Sequence, residues 1–411
     1  MTRPLVLFAL AVILIGGCRP AAANAQDDCR IDCTPRDDRA RLQSIIDSCP
    51  SGSLCELPDG GHTIQSPLQV RKSLRIRGAG RGRRTRPGAR VTEIRVIDGA
   101  NVPAFVIEGD EPRIDVSIQD VTLAGGGIHA GGPKDPCRGI DDPFDAGVVN
   151  LTLVDLAIEA ASTDAIRFEG GSLVVQDVTV AGTLAENALH VANALGDIVA
   201  IDAEFVGNKG WGVYVCNRQG TGQIFMDDVS ASSNGRGGIA IVGKGSPPDF
   251  RTACVQNTGA AFNYRFGILL FDVAKTLLFN VSAGLTFSEA PAHTFGDGIA
   301  VSASDDVYLW NATASLNNRA GFAVFGPSAT QATHIHMVGQ ISALDNGINA
   351  AVDGYAVFDG HTWSTPITGL CGFPETDPPV APPVEMYCEE DLLPVNCAAI
   401  AVSLAPPDPT P

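Results

Sequence analysis

Four residues with chemically useful side chains, His129, Arg167, His190 and Tyr214, occupy one position of a repeated phrase. The phrase is a small residue, an apolar residue, a variable residue and usually another apolar one. Its first copies are Gly127-Ile128-His129-Ala130, Ala165-Ile166-Arg167-Phe168, Ala188-Leu189-His190-Val191 and Gly212-Val213-Tyr214-Val215. An arginine neutralises a carboxylate, and a neutral imidazole takes a proton. Cleaving a polyuronate by β-elimination needs a neutralised substrate carboxylate, a base for the α-proton and an acid for the leaving oxygen. In that assignment Arg167 pairs with the carboxylate and His190 or His129 is the base. Tyr214 is the acid or a second base. The competing reading is a set that binds without reacting, or surface residues with no common role.

The phrase continues through Gly238-Ile239-Ala240-Ile241, Gly267-Ile268-Leu269-Leu270, Gly298-Ile299-Ala300-Val301, Gly321-Phe322-Ala323-Val324 and Gly347-Ile348-Asn349-Ala350. Its variable position thus turns from functional types to Ala240, Leu269, Ala300, Ala323 and Asn349. From Ile166 the second positions recur after 23, 24, 26, 29, 31, 23 and 26 residues. A drifting period on short strands marks a solenoid. Stacked strands lie about 4.8 Å apart, so the four functional positions would extend about 14 Å, enough for a few sugar units. Asp164, Asn187 and Trp211 each lie three residues before a ladder residue and are candidates to line the same groove. Arg236, Arg265 and Arg319 share a turn position, with Gly296 in the intervening coil and Tyr264 and Phe266 flanking Arg265. Arginine with aromatics suits acidic sugars, which makes Arg265 and Arg319 further substrate-binding candidates, against the alternative of a solvated row of turns. His334 and His336 lie on one side of a strand but are too few to claim a metal.

Elements able to position these residues are visible. Asp120, Asp155, Asp177, Asp202, Asp228, Asn257, Asn280 and Asn311 each separate two short strands. Asp and Asn tolerate the backbone of a tight turn and bond locally. Two and four residues before them the chain is mostly apolar, as at Val175 and Leu173 or Leu309 and Val307. Five residues before, it is polar, as at Ser172, Gln223 and Lys275. The first set should face a core and the second water. A further phrase, Asn-x-x-x-Gly, occurs at Asn208, Asn234, Asn263 and Asn317 and marks the turn into the next strand. Asp37 and Asp38 can start a helix with Leu42, Ile45, Ile46 and Cys49 on one face, suited to cover the end of the solenoid.

The opening Leu57-Pro58-Asp59-Gly60, with its preceding helix, short strands and Gly78-Ala79-Gly80, resembles the start of right-handed parallel β-helix proteins of the pectin and pectate lyase-like superfamily. The resemblance covers about residues 37–360 and is carried mainly by the repeats. It implies an all-β, single-stranded right-handed parallel β-helix with three strands and three turns per coil. It does not transfer catalytic residues. The Asn-Thr-Asp, Gly-His-Gly and Arg-Ile-Lys set of polygalacturonases is missing, Ser162-Thr163-Asp164 being a near miss to the first. No Asp ladder of the pectate-lyase calcium site is evident. Fold alone leaves function open.

The ends and the charge set further expectations. Arg3 and the apolar run Leu5 to Ile15 read as an export signal over residues 1–25. Ile15-Gly16-Gly17-Cys18 is a lipobox that would end the signal at residue 17 and acylate Cys18. Ala23-Asn24-Ala25 is the rival cleavage site. The lipobox directly follows the apolar run, which favours it. A membrane contact is expected only through that anchor. Ten further cysteines suit an oxidising compartment, with Cys29, Cys33, Cys49 and Cys55 near a cap at 26–56 and Cys371, Cys388 and Cys397 in a Cys/Pro-rich cap and disordered tail at 361–411. The β-helix itself is expected over 57–360. Net charge is −18, yet residues 71–95 hold ten Lys or Arg and one acid, giving +9 and leaving −27 elsewhere. Nucleic acid is a poor partner for such an exported acidic chain. The basic segment either meets an anionic polymer or is a solvated loop. Between His129 and Arg167 the spacing widens to 38 residues through an insertion, in which Asp141, Asp142 and Asp145 suit a hard cation such as Ca²⁺ or are ordinary loop acids. The expected function is binding of an acidic polysaccharide, with its cleavage by a lyase or hydrolase reaction left open. The alternative is a non-catalytic envelope scaffold.

Overall fold

The computed structural model describes residues 37–389, apart from 82–89, 98, 110, 132–147, 219, 244–252, 289–294, 326–332, 348–355, 359–360 and 364–383. The signal segment with Cys18, the acids Asp141, Asp142 and Asp145, Arg83 to Arg86 and Asn349 lie outside these residues, as does the His334 side chain.

From Leu54 the chain winds into stacked parallel coils. One outer wall is a narrow sheet with one strand per coil. It runs from Leu68–Val70 through Phe105–Ile107, Ile128–Ala130, Ile166–Glu169, Leu189–Ala192, Trp211–Cys216, Gly237–Val242, Phe266–Phe271, Asp297–Ser302 and Phe322–Phe325 to Ala356–Phe358. All these pairs are parallel, and His361–Trp363 adds an antiparallel strand at the end. The other wall is a broad sheet with two strand positions per coil. Ile198–Val206 and Ile224–Ser232 run through both positions as single strands. This is a right-handed parallel β-helix. One expectation shifts: the strand beside Phe322–Phe325 places Val357, not Asn349, opposite Ala323.

The repeated phrase builds the narrow sheet for a plain reason. Its two apolar positions point inward, as at Ile166 and Phe168 or Val213 and Val215, all fully buried. The variable position between them must then point out. The small residue before them is held by close packing. A Cβ on Gly238 would come within 2.5 Å of the Gly267 carbonyl of the next coil. On the broad sheet Leu173, Val175, Ile198, Ala200, Val307 and Leu309 are buried, as the alternation requires. Its outer side carries a second apolar cluster, Val199, Phe225, Cys254 and Leu277, each 3% exposed or less.

All eight Asp and Asn residues that separate strands have φ between 49° and 59°. That is the left-handed region which these two side chains enter more readily than other non-glycine residues. The buried ladder, however, belongs to the Asn-x-x-x-Gly phrase, in two runs with Thr286 between them. Asn208 donates its backbone and side-chain N–H to Asn234 Oδ1 at 3.1 and 2.9 Å. Asn234 donates likewise to Asn263 Oδ1, and Asn317 to Asn346 Oδ1. Each amide thus satisfies a turn of the preceding coil.

At the N-terminal end the helix Arg39–Ser48 turns Leu42 and Ile46 into the core, and Cys49 is bonded to Cys55. The basic segment contributes a strut. Arg81 is 7% exposed and donates to the Leu156 and Asp177 carbonyls, with Asp155 Oδ1 at 3.6 Å. Arg81 is thus neither a solvated side chain nor one presented to an outside polymer.

Candidate functional site

The narrow sheet aligns the four residues in one straight column. His129 pairs with Arg167, Arg167 with His190 and His190 with Tyr214. Gln69 and Val106 precede them, and Ala240, Leu269, Ala300 and Ala323 follow. The polar stretch is thus confined to four consecutive coils.

The four differ in access. His129, Arg167 and Tyr214 are half-buried, whereas His190 is 1% exposed. Its Nδ1 lies 2.8 Å from Asp164 Oδ2. Asp164 Oδ1 accepts the Asn187 backbone N–H at 2.8 Å and its side-chain N–H at 3.1 Å. Asn187 Oδ1 in turn accepts the Trp211 N–H at 2.9 Å. Asp164 and Asn187 are each 4% exposed, so they brace the column instead of lining an open groove. Burial pushes the Asp164 carboxyl upward. The His190 bond and charge, the Asn187 amide and the His129 charge together outweigh it and hold the group below its usual value.

His129 faces a different balance. Its Nε2 lies 3.2 Å from the Asp164 carbonyl and 3.2 Å from Thr163 Oγ1. A carbonyl only accepts, so in the neutral ring Nε2 carries the proton and Nδ1 the basic lone pair. Burial lowers its pKa, helped by the charges of Arg167 and His190. The Asp164 carbonyl and carboxylate oppose this without reversing it. A ring held neutral beside a guanidinium can accept a proton next to a carboxylate-binding group. Thr163, which fixes this ring, carried no signal beyond the near-miss Ser162-Thr163-Asp164.

Farther along, the position three residues before each ladder residue reads Asp164, Asn187, Trp211, Gly237, Phe266 and Asp297. Trp211 stacks on Tyr214 with centroids 6.2 Å apart, and its ring plane is nearly parallel to that of Phe266, at 5° and 6.3 Å between centroids. The Arg265 guanidinium stands 5.5 Å over the Phe295 ring. Phe295 comes from a loop, not a repeat, so its part had no periodic signal. Register confirms that Arg236, Arg265, Gly296 and Arg319 share one row. Arg319 is drawn inward: its Nε and Nη2 grip both oxygens of Asp297, which is 0% exposed. Burial raises the Asp297 carboxyl despite that grip and the Ala320 amide. His336 stacks on Tyr308 on the other sheet, and among the described residues no group of three His, Cys, Asp or Glu is placed to hold a metal.

Stacked parallel coils with a polar column on one outer wall define a right-handed parallel β-helix protein. Solved structures of that architecture are similar to this chain. The periplasmic alginate epimerase AlgG matches with a TM-score of 0.52 at 12% identity, over 85% of this chain and 83% of that one. The A-module of the mannuronan C-5 epimerase AlgE4 from Azotobacter vinelandii gives 0.46 at 16% identity, over 76% and 91%. The catalytic domain of a GH87 α-1,3-glucanase gives 0.44 at 11%, over 90% and 70%. No family model and no curated protein matches the sequence. At these identities the likeness concerns the fold.

Proposed function

We propose that this β-helix binds an acidic polysaccharide along the outer face of its narrow sheet and acts on the carbon that bears the carboxylate. The observation that carries the reading is His129, kept neutral by burial and by Arg167, one strand away from that guanidinium. Arg167 would hold the uronate carboxylate and stabilise the charge that develops on it. The α-proton would pass to His129 Nδ1, leaving the electron pair delocalised into the carboxylate. Expulsion of the glycosidic oxygen then forms the carbon–carbon double bond, and the imidazole returns its proton to the leaving oxygen. Delivery of a proton from water to the opposite face, with the abstracted proton left on His129, would invert the carbon instead. An epimerase acting on alginate, such as the structural neighbour AlgG, makes this second outcome natural to test. His190 is sealed from solvent, so it would position the column with Asp164 and not serve as the base. Tyr214 stands two strand steps from Arg167, about 10 Å, and would face the adjoining sugar.

Polymannuronate, polygalacturonate and alginate would be tested for cleavage, for inversion by NMR, and for binding. Arg167→Ala should reduce turnover about 100-fold or more while thermal unfolding stays unchanged. One observation favours a scaffold reading: three of the polar residues, Asp164, Asn187 and His190, are buried and bonded to one another. Neither turnover nor binding on any of the polymers would establish that reading. Export, with a lipid anchor on Cys18, is a separate proposal resting on the N-terminal sequence. No helix among the described residues is long and apolar enough to cross a membrane. Intact-mass analysis should find acyl chains on Cys18, and a mature N-terminus at Gln26 would exclude them.

A further inference from the structure

From the Tyr214 coil onward, as its ladder turns to alanine and leucine, the narrow sheet carries an aromatic surface. Trp211, Phe266 and Tyr214 are half-buried, and Phe295 is 36% exposed. Their rings follow one another at 6.2, 6.3 and 5.3 Å, from Tyr214 through Trp211 and Phe266 to Phe295. Gly237 makes the central link. It sits between Trp211 and Phe266 in register, and a Cβ there would fall 2.0 Å from Trp211 Cζ3. The indole therefore lies flat across the glycine. Only a residue without a side chain lets it reach Phe266.

We infer that this pavement is a set of distal subsites for the sugar units that extend from Arg167 toward the C-terminal coils. The inference rests on the reading of Arg167 as a uronate site. The apolar C–H faces of sugar rings suit flat aromatic faces, and a guanidinium at the far end suits a carboxylate. The pavement adjoins the ladder through Tyr214, whose ring also meets His190 edge-on at 5.3 Å. Arg265 lies at its other end, over Phe295. From the Arg167 strand to the coil of Phe295 is five strand steps, about 24 Å. A short oligomer held at Arg167 cannot reach the far end, whereas a longer one covers both. The protein therefore selects for chain length.

The test is calorimetric binding of three-unit and eight-unit oligomers of mannuronate and galacturonate to the full chain. The longer oligomers should bind about tenfold or more tightly, roughly one contact's worth of added free energy. Gly237→Ala, which lifts the indole, and Phe266→Leu, which keeps apolar packing without the ring, should each remove most of that advantage. Both should leave the affinity for the trimers and the thermal unfolding midpoint unchanged. Equal affinity for both lengths overturns the inference, as does an advantage that survives both substitutions. The Arg167 site stands in either case if Arg167→Ala still abolishes trimer binding. Failure of every oligomer to bind overturns the subsites and the uronate site together.

Discussion

At the scale of single residues, environment sorts side chains that the repeat treats alike. His129 and His190 hold the same repeat position two coils apart, yet one is half-exposed and the other sealed onto Asp164. A base must be neutral to act. The His129 pKa lies below the usual imidazole value, so turnover should rise as pH climbs through that depressed value and be level by neutral pH. Asp164 supports the protonated ring, so Asp164→Asn should move the acid limb of the kcat/KM profile to still lower pH. An unmoved or raised limb would show that His129 is not the titrating base. The same aspartate, with its depressed pKa, adds stability above the ordinary carboxylate value that is lost as pH falls through its folded pKa. Arg319 is sorted the other way, into a strut. Arg319→Ala leaves the Asp297 carboxylate buried without its partner and should cost about 3 kcal/mol in denaturant unfolding. Trimer binding at Arg167 should not change, because the guanidinium is turned onto Asp297.

At the scale of elements, two turn devices hold the coils in register. One is the left-handed Asp or Asn between the strand positions of the broad sheet. The other is the asparagine ladder behind the narrow sheet. Asn234 is 0% exposed and bonds the coil before it and the coil after it. Removing its amide strands the Asn208 donors and takes the Asn234 side-chain donor from the Phe205 carbonyl and from Asn263 Oδ1, which keeps the Asn234 backbone N–H. Asn234→Ala should therefore destabilise the protein by about 3 kcal/mol, read from equilibrium unfolding in urea. A cost near that of an exposed substitution would mean that water replaces the ladder. The turn types were legible because Asn and Asp declare them. Which of the two rows is buried was not, since both consist of the same polar residue types at similar spacing.

At the scale of the molecule, the narrow sheet is asymmetric along its length. Polar residues fill its outer column from His129 to Tyr214, and aromatics carry the surface on to Phe295. Beyond, the column reads Ala323 and then Val357. In a solenoid each coil meets only its neighbours, so a bound chain should be felt locally. An eight-unit uronate should slow amide exchange in Ile128–Ala130 through Phe266–Phe271 and leave the broad sheet unaffected. Uniform slowing across both sheets would place the ligand elsewhere.

The sequence by itself determined the coil. Each repeat spells an apolar pair around one outward position, and that pattern is satisfied only by stacking like strands on like strands. It also determined which residues share a column, because register in a solenoid is set by the repeated turns. His129, Arg167, His190 and Tyr214 are neighbours for that reason. Tertiary structure alone decided depth and partnership. Asp164 and Asn187 are buried beside the ladder because their carboxylate and amide find each other across coils. Arg319 turns inward because a buried carboxylate needs it. Trp211 lies flat because the coil beside it offers no side chain at Gly237. None of these depends on a residue's own neighbours in sequence, so no local pattern announces them.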